Sequence, residues 1–160
     1  MNALTSALIG QRGRRFIREF ANIPNLSRLP RELQVQYFQT PKMRPLALPF
    51  SSAVRVGDML YLSGALGNLP GTLKLAPGGM AGEARQTMEN IGAVLRFCGL
   101  GFSDVVKCTV MLADMSEWAE FNKVYVTYFA LDKLPARSAL GCNGLALGAR
   151  AEVECLARYP

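Results

Sequence analysis

Segments with strand-like and helix-like periodicity alternate along this chain, and their order limits the folds that it can adopt. Side chains that alternate between apolar and polar, or short apolar runs, predict strands, whereas apolar residues three or four positions apart predict helices. The predicted order is β-β-β-α-β-α-β-β, over residues 33–37, 53–56, 59–64, 81–98, 105–112, a helix from 116, 136–142 and 150–157. This order predicts one α+β domain whose two helices pack on one face of a mixed sheet.

The two predicted helices have different apolar stripes. The first stripe leaves Glu83 outside it and is expected to end at Gly99; its members are Ala84, Met88, Ile91, Leu95 and Cys98. Ser116 is expected to cap the second helix, with Glu117 in the first turn. The stripe of that helix is aromatic and is expected to be buried in the core; it consists of Trp118, Phe121, Tyr125 and Tyr128.

The remaining segments predict a loop, a buried strand and an interface. The glycines and prolines of residues 66–79 indicate a loop. Residues 105–112 are largely apolar, which predicts a strand buried on both faces or at an interface. With both helices on one face of the sheet, the other face is left partly apolar on a small domain. We therefore expect this chain to form an oligomer.

Composition excludes several kinds of site. The 160 residues fit one domain and contain no histidine, which removes Ser-His-Asp and Cys-His nucleophile systems and every imidazole metal site. The four cysteines lack C-x-x-C spacing, and three of them lie in apolar segments, so we expect buried free thiols and no metal. No apolar run reaches the length of about 18 residues that crosses a bilayer, so we expect a soluble chain without a membrane partner.

Positive charge is concentrated at the amino-terminal end. Residues 1–48 contain eight Lys or Arg against two Glu, whereas residues 49–160 contain ten residues of each sign. We therefore divide the chain into a basic extension, residues 1–32, and a domain, residues 33–160. The extension is interpreted as a helical or unstructured basic arm of a cytoplasmic protein, with a mitochondrial presequence as the alternative.

Arg137 and Glu152 are the candidate catalytic residues. They are predicted on two neighbouring extended segments, with the turn signal Asn143-Gly144 between them. A guanidinium can bind a planar carboxylate with two hydrogen bonds, and a carboxylate can hold or deprotonate a water molecule. An ion pair between adjacent strands is the alternative interpretation of these two residues. Glu154, on the same face of a regular strand, is the second candidate for the carboxylate.

Six motifs in order resemble the RidA/YjgF family of reactive intermediate deaminases over about residues 33–160. They are residues 48–54 (LPFSSAV), 61–64 (YLSG), 104–110 (DVVKCTV), 121–125 (FNKVY), 135–138 (PARS) and 152–154 (EVE). The resemblance implies a chorismate-mutase-like α+β fold that forms a homotrimer, with active sites in the clefts between subunits. It also implies hydrolysis of 2-imino acids, such as 2-iminopropanoate and 2-iminobutanoate, to 2-keto acids and ammonia, without a cofactor or a metal.

The resemblance also implies roles for individual residues. Arg137 matches the arginine that binds the substrate carboxylate, and Glu152 matches the glutamate that positions the attacking water. The remaining matches line the site: Ser63, Asn122 near the subunit cleft, and Ala139, which offers a backbone carbonyl where the family often has cysteine. Phe50 replaces the family's tyrosine, and Ala65 replaces a glutamine, so we expect a slower reaction or more apolar substrates.

Two other functions are consistent with these residues. A non-enzymatic trimer that binds a small carboxylate would need Arg137 but not Glu152. An RNA-directed, endoribonuclease-like activity would use the basic extension, although the neutral domain and the lack of histidine argue against nucleic acid as a partner. Ser63 is also typical of a hydroxyl that satisfies backbone at a strand end, and Asn122 of a solvent-facing helix residue. A catalytic serine is disfavoured because no histidine base exists.

Overall fold

The computed structural model describes residues 35–160, and predictions on residues 1–34 lie outside this part of the chain. The elements follow the predicted order, with one short strand added where the predicted loop begins. The strands are β1 Val35–Phe38, β2 Ala53–Val56, β3 Met59–Leu62, β4 Ala65–Leu66, β5 Val105–Leu112, β6 Ala136–Gly141 and β7 Ala151–Arg158; the helices are α1 Gly79–Phe97 and α2 Trp118–Tyr125.

The strands form one mixed sheet in the order β1-β2-β3-β7-β5-β6, and β4 pairs with β7 beside β3. All neighbours are antiparallel except β5 and β6, which are parallel because α2 connects them as a crossover. This arrangement places β7 in the middle of the sheet and β6 at one edge. The predicted mixed sheet with two helices on one face is confirmed.

The first helix buries the predicted stripe and ends as predicted. Ala84, Met88, Ile91 and Leu95 are all at most 1% exposed. At the carboxyl end, Gly99 has φ +78 and its N–H donates to Arg96 O, while Leu100 N donates to Leu95 O. These two bonds form a Schellman motif, in which a left-handed glycine satisfies the last helical carbonyls.

The second helix starts later than the sequence predicted. A short 3-10 turn over Met115–Glu117 precedes it, and the capping side chain is Asp114, which accepts from Ser116 N at 2.8 Å. The prediction that Ser116 caps the helix is therefore wrong, because the aspartate two residues earlier provides the acceptor. Within the predicted stripe, Phe121 and Tyr125 are buried, whereas Trp118 and Tyr128 are partly exposed.

The core lies between the sheet and the helices, and the other sheet face is open. On β5, the buried side chains alternate with half-exposed ones, so this strand is not buried on both faces within one chain. The open face carries apolar side chains that include Tyr61, Met111, Leu140 and Leu156. An exposed apolar face of this kind is typical of an interface.

Three of the four cysteines are buried and none is oxidised. Cys98, Cys108 and Cys155 are buried, and Cys142 is partly exposed. Cys108 and Cys155 are directly opposite each other on β5 and β7, with their sulfur atoms 3.4 Å apart. None of the helices between residues 35 and 160 is long and apolar enough to cross a membrane.

Candidate active site

Arg137 and Glu152 lie on strands that are not neighbours. Arg137 is on β6 and Glu152 on β7, and β5 runs between these strands. The prediction of two neighbouring segments is therefore wrong. The two side chains also lie on opposite faces: Arg137 pairs in register with Cys108, which is buried on the helix side, whereas Glu152 pairs with Met111 on the open side. Within the described part of one chain they form no ion pair.

Arg137 rests against one face of α2. Its Nη1 donates to Asn122 Oδ1 at 2.7 Å. The guanidinium carbon lies 4.7 Å from the ring centroid of Trp118 and 4.8 Å from that of Tyr125, both within cation–π distance. No carboxylate of the described residues forms an ion pair with Arg137. The structure thus brings together the predicted residues Arg137 and Asn122 and fixes a cation that is open to an external anion.

The backbone of β6 also faces outward beside Arg137. Cys142 N donates to Leu112 O, so the peptide groups of Cys142 point toward β5. Alternate residues of a strand bond to the same neighbour, so the peptide groups of Arg137 and Ala139 point away from β5. No other described strand pairs with this edge. The carbonyl of Ala139 therefore lies at the free edge, two residues from Arg137, although its side chain packs on the core.

A cavity of about 570 Å³ opens beside Arg137. It lies between α2 and the segment that leads into β6. Asn122, Lys123 and Arg137 supply its polar lining, and Leu134 and Pro135 belong to its apolar wall. Arg137 and Lys123 give the cavity positive charge, and none of the lining residues is acidic. The cavity is therefore suited to a small anion that has an apolar portion.

Glu152, the other candidate catalytic residue, faces a bulge between β3 and β4. Tyr61 pairs with Leu156, but Ala65 pairs with Val153, so the strand that contains Ser63 and Gly64 has one extra residue. A Cβ atom added at Gly64 would lie 2.9 Å from Glu152 Cδ and closer still to Oε1. The bulge and the missing side chain of Gly64 together create the space that the carboxylate occupies.

The environment of Glu152 disfavours its charged form. Partial burial raises the pKa of Glu152 above the usual glutamate value, and the neighbouring Glu154 carboxylate raises this pKa further. No described residue forms an ion pair with Glu152. Glu154 is exposed on the same face. Of the two carboxylates, Glu152 is therefore the better candidate for proton transfer near neutral pH.

Ser63 and Phe50 lie on the Glu152 side of the molecule. The Ser63 hydroxyl donates to Ser51 O at 2.7 Å, which ties the residues before β2 to the bulge. The Ser63 hydroxyl proton is therefore donated to a backbone carbonyl, which agrees with the alternative interpretation of Ser63 as a strand-end hydroxyl. Only the lone pairs of its oxygen remain to accept a hydrogen bond from a ligand. Phe50, next to Ser51, is 49% exposed. Ala65 is the first residue of β4 and packs on the core. Its methyl side chain offers no polar group to a ligand.

One buried carboxylate that the sequence did not reveal anchors the start of β7. Glu83 of α1 is 6% exposed and accepts from Arg150 N at 2.8 Å. The Arg150 side chain also donates to Glu117 at 2.6 Å. This contact fixes the backbone two residues before Glu152. The only sequence signal was an acidic residue next to the apolar stripe of α1, which is normally read as solvent-exposed.

The predicted site residues therefore form two groups. Arg137, Asn122 and Ala139 lie at the edge strand and the α2 face, and Glu152, Ser63 and Phe50 lie around the bulge. The first group can bind a carboxylate, and the second can hold or deprotonate water. Between residues 35 and 160 no three or more Cys, Asp or Glu side chains cluster as metal ligands would.

Comparison with known proteins identifies relatives for most of the described part of the chain. The family model described as Endoribonuclease L-PSP matches residues 41–159. The mouse protein named 2-iminobutanoate/2-iminopropanoate deaminase is 43% identical over 109 residues, which are 68% of this chain and 80% of the mouse protein. The Arabidopsis thaliana protein named Reactive Intermediate Deaminase A, chloroplastic, is 38% identical over 71% of this chain and 60% of its own length.

Solved structures agree with these matches. A Yersinia pestis protein of the conserved Rid family has a TM-score of 0.73 and 31% identity, covering 79% of this chain and 100% of its own. The YjgF gene product of E. coli has a TM-score of 0.70 and 28% identity, covering 78% of this chain and 99% of its own. The fold, the motif order and these relatives agree, and the chain belongs to the Endoribonuclease L-PSP family, which is the RidA/YjgF family that its motifs resemble.

Proposed function

We propose that this protein hydrolyses 2-imino acids to 2-keto acids and ammonia. The observation that carries the proposal is a pair of unneutralised charges at the candidate site. Arg137 is held by Asn122 at 2.7 Å without an acidic partner among the described residues, and Glu152 is half-buried without a basic one. A partly buried structural carboxylate such as Glu152 is normally paired. The names of the mouse and Arabidopsis relatives support the same reaction.

Arg137 binds the substrate carboxylate in this proposal. The bond from Nη1 to Asn122 restricts one end of the guanidinium, and the remaining N–H groups can donate to the two carboxylate oxygens. The carbonyl of Ala139 at the free edge can accept from the imine N–H. These contacts orient the C=N bond, and orientation can supply much of the acceleration at an already electrophilic carbon.

Glu152 activates water against the imine carbon. The carboxylate accepts a proton as the water oxygen bonds to the carbon of the protonated imine, which gives a carbinolamine with an NH2 group. Glu152 then donates this proton to the nitrogen. As the C–N bond breaks, Glu152 accepts the hydroxyl proton, the C=O bond forms, and ammonia and the 2-keto acid leave; the proton on Glu152 then passes to the released ammonia or to solvent. The raised pKa of Glu152 suits these proton transfers, since a base and acid works best when its pKa is close to the working pH.

The two groups of residues come from different chains in this proposal. In one chain, Arg137 and Glu152 are on strands two spacings apart, about 10 Å, are offset by three residues along the strands, and lie on opposite faces of the sheet. A second copy that packs on the open apolar face can bring its own Arg137 group to the Glu152 group. We propose a homotrimer with three such clefts, as the family resemblance implies.

The first test measures the release of 2-keto acid and ammonia from freshly generated 2-iminobutanoate. The wild type should exceed the spontaneous rate, Arg137→Ala should lose this acceleration, and Glu152→Gln should lose turnover but still bind 2-oxobutanoate. A folded wild type that binds 2-oxobutanoate without hydrolysis would favour the non-enzymatic carboxylate-binding function. Cleavage of RNA without imine hydrolysis would favour the activity in the family description.

A mixing experiment tests the shared site. Arg137→Ala and Glu152→Gln chains are unfolded, mixed in equal amounts and refolded together. In a random trimer, about a quarter of the clefts receive an intact Arg137 from one chain and an intact Glu152 from the other. About a quarter of the wild-type activity should return. If both residues act within one chain, the mixture stays as inactive as its components.

The division at residue 32 and the cellular location also belong to the proposal. We propose that residues 1–32 are an extension outside the catalytic domain and that the protein is cytoplasmic, with a mitochondrial location as the alternative if this extension is a presequence. Imaging the full chain and a chain without residues 1–32, each fused to a fluorescent protein, separates the two locations. A mitochondrial signal that needs residues 1–32 would support the alternative.

A further inference from the structure

Three residues of α2, one or two turns apart, hold the guanidinium of Arg137. Trp118, Asn122 and Tyr125 are spaced by four and three residues, so they share one face of the helix. Trp118 and Tyr125 are about 10 Å apart along the helix axis, with Asn122 between them. The guanidinium carbon is within 4.8 Å of both ring centroids and so lies over the middle of this face.

The rings of Trp118 and Tyr125 restrict the Arg137 side chain, which would otherwise be flexible. Arg137 is on an edge strand and is exposed, and a free arginine side chain there would occupy many rotamers. Ordering such a side chain when a ligand binds weakens affinity. A single hydrogen bond to Asn122 restricts one end of the guanidinium but leaves its plane free to rotate. Contacts with two rings restrict the plane itself, because cations and guanidinium groups prefer the aromatic face.

We propose that Trp118 and Tyr125 are positioning residues for the substrate carboxylate: their rings hold the Arg137 guanidinium in the orientation that binds it. This inference rests on the proposed function for the identity of the substrate. It also has an optical consequence. Trp118 is the only tryptophan in the chain, so its fluorescence reports directly on the guanidinium beside it. Neutralisation of Arg137 by a bound carboxylate should change that fluorescence.

The experiment combines a fluorescence titration with kinetics of variants. The full-length wild type is titrated with 2-oxobutanoate, and with 2-butanone as a ketone of similar size that lacks a carboxylate. Only 2-oxobutanoate should change the tryptophan emission in a saturable way, and Arg137→Ala should abolish this change. A response that is equal for both ketones, or that persists in Arg137→Ala, would overturn the proposal.

The kinetic arm separates positioning from folding. Trp118→Leu should raise KM for 2-iminobutanoate about two- to fivefold with little change in kcat, because the carboxylate is bound equally in the ground state and the transition state. Trp118→Phe keeps a ring and should recover most of the affinity. Tyr128→Leu is the matched control, since Tyr128 is equally half-exposed but contacts Phe102 and Glu89 instead of Arg137. A variant that merely folds poorly lowers kcat through the active fraction and leaves KM unchanged.

The outcomes distinguish this inference from the proposed function. Saturable, Arg137-dependent fluorescence without hydrolysis would support the positioning residues and overturn the deaminase activity. Hydrolysis with the same KM in Trp118→Leu and Tyr128→Leu would support the activity and overturn the positioning role. Hydrolysis together with a KM increase confined to Trp118→Leu and reduced in Trp118→Phe would support both.

Discussion

Replacement of Gly64 by alanine should reduce activity about 100-fold while leaving the fold intact. Gly64 has no left-handed φ, so alanine can adopt its backbone conformation. Its new Cβ, however, would lie 2.9 Å from Cδ and 3.2 Å from Cγ of Glu152, and nearer still to Oε1. Ordinary carbon contacts are about 3.5–4 Å. The carboxylate must therefore move by on the order of 1 Å, and such a displacement of a catalytic group can lower the rate about 100-fold.

The expected change in stability is much smaller than the change in activity. Alanine restricts the unfolded chain, which stabilises the fold by about 0.4–1 kcal/mol at a compatible position. Displacing the half-exposed Glu152 side chain away from its rotamer minimum costs about 0.5–1.5 kcal/mol. These contributions nearly cancel, so we expect the free energy of unfolding to stay within about 1 kcal/mol of the wild type. Turnover of 2-iminobutanoate and urea denaturation measure the two quantities.

Gly101→Ala is the matched control for this substitution. Gly101 has an extended backbone with φ −137, and an added Cβ would meet its nearest atoms at 3.8 and 4.0 Å. The Gly101→Ala variant should keep wild-type activity. If Gly64→Ala retained full activity in a folded protein, then the Glu152 carboxylate would not need its present position, and the assignment of Glu152 as the water-activating group would be wrong.

Three further predictions concern Glu152, Glu83 and the cysteines. The raised pKa of Glu152 means that its ionisation destabilises the fold, an effect absent below the ordinary glutamate pKa of 4.5 and complete above the raised value. Glu152→Gln should therefore be more stable than the wild type at pH 7 and lose this advantage below pH 4.5 in thermal melts; an equal difference at both pH values would contradict the reasoning. Glu83→Ala should lower the free energy of unfolding by about 2 kcal/mol, because it leaves Arg150 N without its charged acceptor, although the Arg150 side chain keeps its bond to Glu117; urea denaturation within about 0.5 kcal/mol of the wild type would refute it. A thiol reagent should modify Cys142 first, because the other three thiols are buried and burial raises the pKa of Cys98; mass spectrometry that finds Cys98, Cys108 or Cys155 modified first would refute this order.

The sequence was sufficient to predict most elements of the fold, because their periodicity is local. The stripe of α1, its end at Gly99 and the second and third strands each depend on residues a few positions apart. The start of α2 was missed because Ser116 and Asp114 are both good capping residues, and only the backbone path decides which one accepts the bond. The motifs that contain Arg137 and Glu152 are also local, so the resemblance to the family identifies both residues from the sequence.

The sequence could not determine which strands are neighbours in the sheet or which residues from distant segments contact each other. A period of two residues shows which side chains share a face of one strand, but it does not show that β5 runs between β6 and β7. The burial of Glu83 depends on Arg150, which is 67 residues away along the chain. The space for Glu152 depends on a bulge on the neighbouring β3–β4 segment. These features arise from pairing between distant segments, and only the tertiary structure decides that pairing.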